Sequence, residues 1–363
     1  MAVALGLARR SLGVTWPNPA VGCVLVQDGN DGPAIVGRGW TASGGRPHAE
    51  TEALKRAGAA AKGTTAYVTL EPCSHQGQTP PCAKALIEAG IARAVIAIAD
   101  SDPRVSGQGV AALQDAGIDV SMGTLADAAQ DLNAGFFMRN AQNRPLVTLK
   151  MATTLDGRIA TATGESQWIT DAPARGMAHR LRAANDAVAV GIGTVLADDP
   201  ELTCRLPAMI GHSPARVVFD STLRLPADCR IVKSARETRT IVLTLTGADA
   251  AHKRELEDTG VEVLDVRAGE DGRVSIPAAL EALAGLGITR LLCEGGGGLA
   301  GSFMRSGLVD RLAWFRAPSM IGGDGLPSIA AFGVDKVADA PVFVRTALAS
   351  VGQDVLETYR RPT

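Results

Sequence analysis

Short β-branched runs alternate with amphipathic stretches of helical length along the whole chain. In the first part, residues 20–26 and 35–39 read as strands joined by a glycine-rich turn. Residues 48–60 follow with helical spacing behind Pro47, and 65–70 form a β-branched strand that runs into Glu71-Pro72-Cys73. Residues 82–89 read as a helix closed by Gly90, and 94–99 as a buried strand closed by Asp100. The first thirteen residues are apolar first and basic second, the reverse of a secretory leader, and read as an opening amphipathic helix.

A polar stretch, Asn140-Ala141-Gln142-Asn143-Arg144-Pro145, then interrupts the alternation and predicts a boundary. Beyond it the pattern resumes, with strands expected at 146–152, 187–191, 216–219, 241–245, 261–266, 290–293 and 312–316. Residues 231–287 carry no recognisable motif. The expectation is two α/β domains, 1–145 and 146–363, each with its site at strand ends.

Composition sharpens this picture at a few points. A length of 363 residues suits two domains. With 4 Trp, 2 Tyr and 7 Phe against 46% hydrophobic residues, the cores must be mostly aliphatic. A net charge of −2 argues against a broad nucleic-acid surface, yet leaves room for a local anion pocket. No apolar run approaches the ~18 residues of a membrane-spanning helix. Together with the missing leader this predicts a cytoplasmic protein, in which six Cys are poor candidates for a disulfide framework.

One close Cys pair remains, Cys73 and Cys82, and with His48 it supplies three zinc ligands. Three protein ligands leave a fourth tetrahedral position for water, the arrangement of a catalytic zinc rather than a structural one. Glu50, two residues after His48, is not needed as a ligand and is placed to carry a proton from the attacking water to a leaving amine. The order His-x-Glu, then Pro-Cys, then a second Cys is that of zinc nucleobase deaminases. Here eight residues separate the two Cys, so their loop lies at the mouth of the site. His75 within it is read as a substrate contact, with an outer-shell role or competition for zinc as alternatives.

The segments TWPNPAVGCVLV (15–26), HAE (48–50) and EPCSHQGQTPPC (71–82) resemble the deaminase domain of the bifunctional riboflavin-biosynthesis deaminase–reductases. The resemblance implies a cytidine-deaminase-like three-layer domain that acts on a pyrimidine ribosylamino phosphate and releases ammonia. It implies zinc on His48, Cys73 and Cys82, with Glu50 as proton shuttle. Substrate contacts are implied at Asn18, His75, Asp100 and Asp102, with an Asx-turn the other reading of Asn18. The family's Asp-Pro-Asn-Pro appears here as Asp-Ser-Asp-Pro.

In the second half, Glu294-Gly295-Gly296-Gly297-Gly298-Leu299-Ala300-Gly301-Ser302 follows a strand and opens a helix, where backbone N–H groups can receive a phosphate. A dinucleotide fingerprint should be followed by a strand ending in an acidic residue. The next strand ends in Arg316-Ala317-Pro318, so that test fails. Gly164–Thr170 and the Gly193–Arg205 region instead resemble the reductase domain of the same family, which is dihydrofolate-reductase-like and uses NADPH. The resemblance implies cofactor contacts at Ala152, Trp168, Thr194, Asp198, Ser221, Gly296, Gly297, Gly298, Leu299, Ala300, Gly301 and Ser302. Substrate contacts are implied at Lys150, Ser166, Arg182, Leu202, Arg205 and Glu294, with a solvated helix face the other reading of Arg182. The expected ligands are thus one zinc ion, NADPH or NADP+ and a small phosphorylated pyrimidine, with neither nucleic acid nor membrane, and assembly as a homodimer. The alternative is a nucleic-acid or nucleoside deaminase with an accessory nucleotide-binding domain.

Overall fold

The computed structural model describes residues 1–74, 80–101 and 106–362. The chain divides into two compact units, Met1–Gln142 and Asn143–Thr363.

The first unit contains strands β1 (Gly22–Gly29), β2 (Gly32–Trp40), β3 (Thr65–Val68), β4 (Arg93–Ile96) and β5 (Asp119–Met122). Its helices are α1 (Ala2–Ala8), α2 (Ala49–Ala57), α3 (Cys82–Glu88), α4 (Gln108–Asp115), α5 (Ala126–Leu132) and α6 (Ala134–Gln142). The sheet order is β2-β1-β3-β4-β5, antiparallel around β1 and parallel from β3 onward. Residues on α2, α3 and α4, among them Ala49, Ala53, Leu86 and Leu113, pack into one core cluster with the strands. Leu5 and Ala8 of α1 pack with Ala129 and Leu132 of α5 in a second cluster. The result is a helix–sheet–helix sandwich. Small residues make it tight: a Cβ on Gly39 would stand 2.0 Å from the Ala49 carbonyl oxygen, so α2 can lie on β2 only over glycine. Gly58 ends α2 at φ +54, earlier than its apolar pattern suggests, and the rest of that stretch is a 3₁₀ turn.

The polar stretch at 140–145 is not a free linker. Asn140, Ala141 and Gln142 complete α6, and the helix stops at Asn143 with φ +51. Arg144 then forks onto Asp310 at 2.7 and 2.8 Å, and the same carboxylate accepts from Val147 N at 2.8 Å. This pins the entry to the second unit.

That unit contains strands β6 (Leu146–Thr153), β7 (Arg158–Ala160), β8 (Ala187–Gly191), β9 (Ala215–Phe219), β10 (Thr240–Leu245), β11 (Glu262–Val266), β12 (Arg290–Cys293), β13 (Arg311–Arg316), β14 (Leu326–Pro327), β15 (Val344–Val351) and β16 (Asp354–Arg360). Its helices are α7 (Ala172–Ala183), α8 (Ile192–Asp198), α9 (Arg230–Lys233), α10 (Ala250–Asp258), α11 (Ile276–Gly285) and α12 (Gly297–Ser306). Strands β7 and β14 pair by themselves, and the main sheet runs β11-β10-β9-β8-β12-β6-β13-β16-β15. It is parallel from β11 to β13, and its strands there are near-continuous buried runs, as in Ala187–Gly191. The hairpin β15–β16 closes one edge antiparallel. Strand β6 lies between β12 and β13, so the strand after the glycine tract is not its neighbour, consistent with the failed dinucleotide fingerprint.

Candidate active sites: a metal centre and a nucleotide cleft

His48 stands just before α2 with extended backbone and makes no side-chain capping bond. Its ring turns inward instead, placing Nδ1 3.3 Å from Cys82 Sγ and 3.6 Å from Cys73 Sγ. Cys82 opens α3, and its backbone N–H donates to Cys73 Sγ at 3.3 Å. The three ligand atoms lie within 4.8 Å of one another. Bonds of about 2.3 Å to sulfur and 2.0–2.1 Å to nitrogen imply donor separations of this size for one tetrahedral ion, so the cluster fits zinc. The electrostatics show how tightly the donors are held. A hydrogen bond from Cys82 helps pull the Cys73 thiol down to about 4, while contact with Cys73 pushes the Cys82 thiol well up.

Glu50, on the first turn of α2, is 3% exposed. Burial pushes its carboxyl up to about 7, against the pull of His48. A carboxyl near neutrality beside three metal donors can accept and return a proton at working pH.

The other first-unit candidates are placed less uniformly. Asn18 is half-buried in a turn, its N–H bonded to Thr15 O at 3.0 Å. Its amide packs on Gly45, where a Cβ would be 2.0 Å away and φ is +85. Asn18 is thereby set against the segment that leads into His48. Asp100 is half-buried beyond β4. His75 and Asp102 lie outside the described residues.

Glu71 went unnoticed in the motif that carries Cys73. Its buried carboxylate accepts from Gly109 N at 2.9 Å, Gly107 N at 3.0 Å, Val110 N at 3.1 Å and Asp100 N at 3.3 Å. It collects the start of α4 beside the Cys73 strand end, and Gly109 approaches Pro72 O so closely that a Cβ would stand 2.0 Å away. Glu71→Gln removes one acceptor oxygen and introduces two unwanted donors. The expected cost is about 1–3 kcal/mol, read as a lower urea midpoint at unchanged slope.

In the second unit, a cleft of about 970 Å³ opens at the carboxyl ends of the central strands. Lys150, Ala152, Ser166, Trp168, Arg182, Thr194, Asp198, Arg205, Ser221 and Glu294 line it, as do Gly296, Gly297, Gly298, Leu299 and Ser302. Leu202, Ala300 and Gly301 do not: Leu202 is 3% exposed within an apolar core cluster, Ala300 is buried, and Gly301 is buried against Ala330. The cleft also takes in His179, Arg175, Arg224 and Arg273, which the motifs did not flag.

At the cleft's centre Glu294 is buried between two cations. Arg182 closes a two-pronged bond on it at 2.7 and 3.0 Å, and Lys150 Nζ is 4.0 Å away. Burial alone would raise the Glu294 carboxyl, but Arg182 and Lys150 outweigh it and hold it down to about 2. Burial in turn lowers the Lys150 ammonium. Arg182 is therefore no solvated surface residue; its fork is already closed on a carboxylate.

The glycine tract serves two ends. Gly296 caps α12 with no side chain over the helix terminus, and its N–H reaches Thr194 Oγ1 at 3.3 Å. At Gly298 a Cβ would meet nothing within 4 Å, so this turn faces open space. At Gly297 and Gly301 the same Cβ would strike Pro327 O at 2.6 Å and Ala330 O at 2.9 Å. Those two are glycine because another segment crosses there. An uncapped N-terminus in an open cleft suits the pyrophosphate of a dinucleotide.

The family model for the cytidine and deoxycytidylate deaminase zinc-binding region matches residues 1–98, and that for the RibD C-terminal domain matches 145–354. The riboflavin biosynthesis protein RibD of Escherichia coli is 43% identical over 366 residues, covering 98% of this chain and 96% of its own. The chain belongs to the RibD family. As a RibD protein it is a bifunctional enzyme of riboflavin biosynthesis, with a cytidine-deaminase-like zinc domain followed by a reductase domain. Among solved structures, Acinetobacter baumannii RibD superposes with a TM-score of 0.88 at 36% identity, over 100% of this chain and 98% of that one. A diaminohydroxyphosphoribosylaminopyrimidine deaminase/5-amino-6-(5-phosphoribosylamino)uracil reductase of Thermotoga maritima gives a TM-score of 0.85 at 34% identity, over 100% and 97%. The RibD assignment displaces the nucleic-acid deaminase alternative, and no helix among the described residues is long and apolar enough to cross a membrane.

Proposed function

We propose that the first unit hydrolytically deaminates 2,5-diamino-6-ribosylamino-4(3H)-pyrimidinone 5′-phosphate. The second then reduces the ribosyl side chain with NADPH, to give 5-amino-6-ribitylamino-uracil 5′-phosphate. The observation that carries this reading is the buried Glu50 carboxyl beside the converging His48, Cys73 and Cys82.

Those three residues would hold zinc, which when bound would supply a Lewis acid that activates water. Glu50 takes the proton from the attacking water and returns it to the departing amine. Asn18, His75, Asp100 and Asp102 contact the substrate. The cleft would hold NADPH through Ala152, Trp168, Thr194, Asp198, Ser221, Gly296, Gly297, Gly298, Leu299 and Ser302, and the cofactor would supply the hydride. Lys150 meets the ribose being reduced, held in place by Glu294, while Ser166 and Arg205 bind the rest of the substrate. The Arg182 fork is closed on Glu294 in a buried pair, whereas Arg205 is held only by an exposed pair with Glu201 at 3.1 Å, so Arg205 is the better phosphate ligand. We place the protein in the cytoplasm. For assembly, β15 is an edge strand exposed from Val344 to Ser350, and its pairing with a second copy fits the homodimer expectation.

The test is to incubate the purified protein with the diaminopyrimidinone substrate and identify products by mass. Without NADPH the product has exchanged an amine for an oxygen, and with NADPH it has gained two hydrogens as well. Absence of the first change would remove the deaminase substrate; absence of the second alone would remove the reduction.

A further inference from the structure

Lys150 and Ala152 line the cleft from β6, and β13 runs parallel beside them. In that register Ala313 stands opposite Lys150 and Phe315 opposite Ala152. Phe315 is therefore the diagonal neighbour of Lys150, a separation that an aromatic ring and a long side chain can bridge. Alanine at 152 and 313 leaves the space between them open. Lys150 Nζ uses it and lies over the Phe315 ring, 5.8 Å from its centroid.

The ring itself has little freedom. Phe315 is 1% exposed and clusters with Ala174, Ala313 and Leu356, with Met177 and Leu181 of α7 packed against them. Close packing of this kind keeps the ring face where the lysine meets it.

The Lys150 ammonium is otherwise loosely held. Its pairing with Glu294 is long, at 4.0 Å, and it makes no hydrogen bond with another described residue. Arg182 takes both Glu294 oxygens at 2.7 and 3.0 Å. The charged groups about Lys150 are thus Glu294 at the end of β12 and Arg182 on α7. His179 lies one turn before Arg182, and Arg175, stacked on Trp168, one turn earlier again. From β13 the neighbours are Ala313 and Phe315. Burial lowers the ammonium, Glu294 pulls it back up, and Arg182 adds to the lowering. A ring face suits this place better than a second carboxylate. It attracts a cation through its quadrupole and accepts no directed hydrogen bond, so the three N–H donors stay available to a ligand.

We propose that Phe315 is a positioning residue for the reduction: its ring face holds the Lys150 ammonium in place while leaving the N–H donors to the ribose. This rests on the reading that Lys150 meets the ribose being reduced.

The test replaces Phe315 in the full-length protein by phenylalanines carrying one, two or three ring fluorines, and by Leu. Fluorination keeps the ring's shape and weakens its negative face stepwise, whereas Phe315→Leu removes the face and keeps the site apolar. NADPH oxidation with the deaminated pyrimidine phosphate is followed across pH, and NADPH affinity is measured by calorimetry. Less attraction for the cation lowers the ammonium further. The basic limb of the kcat profile is therefore expected to move to lower pH with each fluorine, by about half a unit at three, with NADPH affinity unchanged. Phe315→Leu should move it at least as far. A limb that stays put across the fluorine series, or moves only in Phe315→Leu, overturns the role of the ring.

Lys150→Met separates this assignment from the reading beneath it, and is expected to bind NADPH without oxidising it. Turnover at the parent's rate would remove the lysine reading and the Phe315 assignment with it. An inactive Lys150→Met together with an unmoved limb would remove the Phe315 assignment alone.

Discussion

Glu50→Gln is expected to keep zinc while lowering deaminase turnover by at least about a hundredfold, the lower range for loss of a positioned acid–base group. The substitution is nearly isosteric at a position that is 3% exposed, so α2 and the His48, Cys73 and Cys82 donors should stay in place. What disappears is a carboxyl able to gain and lose a proton. The pH profile of the parent enzyme carries the same signature. Burial raises Glu50 to about 7, and a cation on the adjacent donors favours the carboxylate. The acid limb of the deaminase profile should therefore fall below 7 in the zinc form, and Glu50→Gln should abolish it. Because the folded-state value is raised, the ionising carboxyl costs stability as pH climbs from its ordinary 4.5 towards 7 in the metal-free protein. Metal-free Glu50→Gln should lack that decline. Unchanged ammonia release at equal zinc content would sink the shuttle assignment.

Glu294→Gln should abolish NADPH oxidation and destabilise the second unit, with deaminase turnover retained as the internal control. The neutral amide leaves Arg182 and Lys150 as like charges in a buried site, where removing one partner of an ion pair costs about 3–5 kcal/mol. The pair is well enclosed: the Glu294 side chain is 8% exposed and that of Arg182 14%. The sign with pH follows from the depressed carboxyl. Its stabilisation is complete above the ordinary value of 4.5 and is lost as pH falls from there through about 2. Acid unfolding of the parent should steepen in that window, and the variant's should not. A denaturation midpoint equal to the parent's would show that Glu294 does not hold these cations.

The candidate zinc donors and Glu50 were readable along the chain because each lies in a short segment whose residue types have few other uses. The same holds for the central parallel strands, where Ala187–Gly191 and Arg290–Cys293 coincide with the expected runs. Strand β15 shows the opposite case. It is exposed over nearly its whole length, so no buried face marks it, and only its pairing with β16 makes it a strand.

Local pattern thus determined the element types and the two α/β halves, which depend on residues within a few positions of each other, and it marked His48, Cys73 and Cys82 as candidate metal donors that only the fold brings within 4.8 Å. Tertiary packing decided the rest, because those properties depend on partners far away in sequence. Arg182 could be a surface residue or a ligand until Glu294, 112 residues on, closed its fork. Glu71 looked like part of a motif until four backbone N–H groups converged on it. The glycine tract seemed uniform until chain crossing at Pro327 and Ala330 separated Gly297 and Gly301 from the open turn at Gly298.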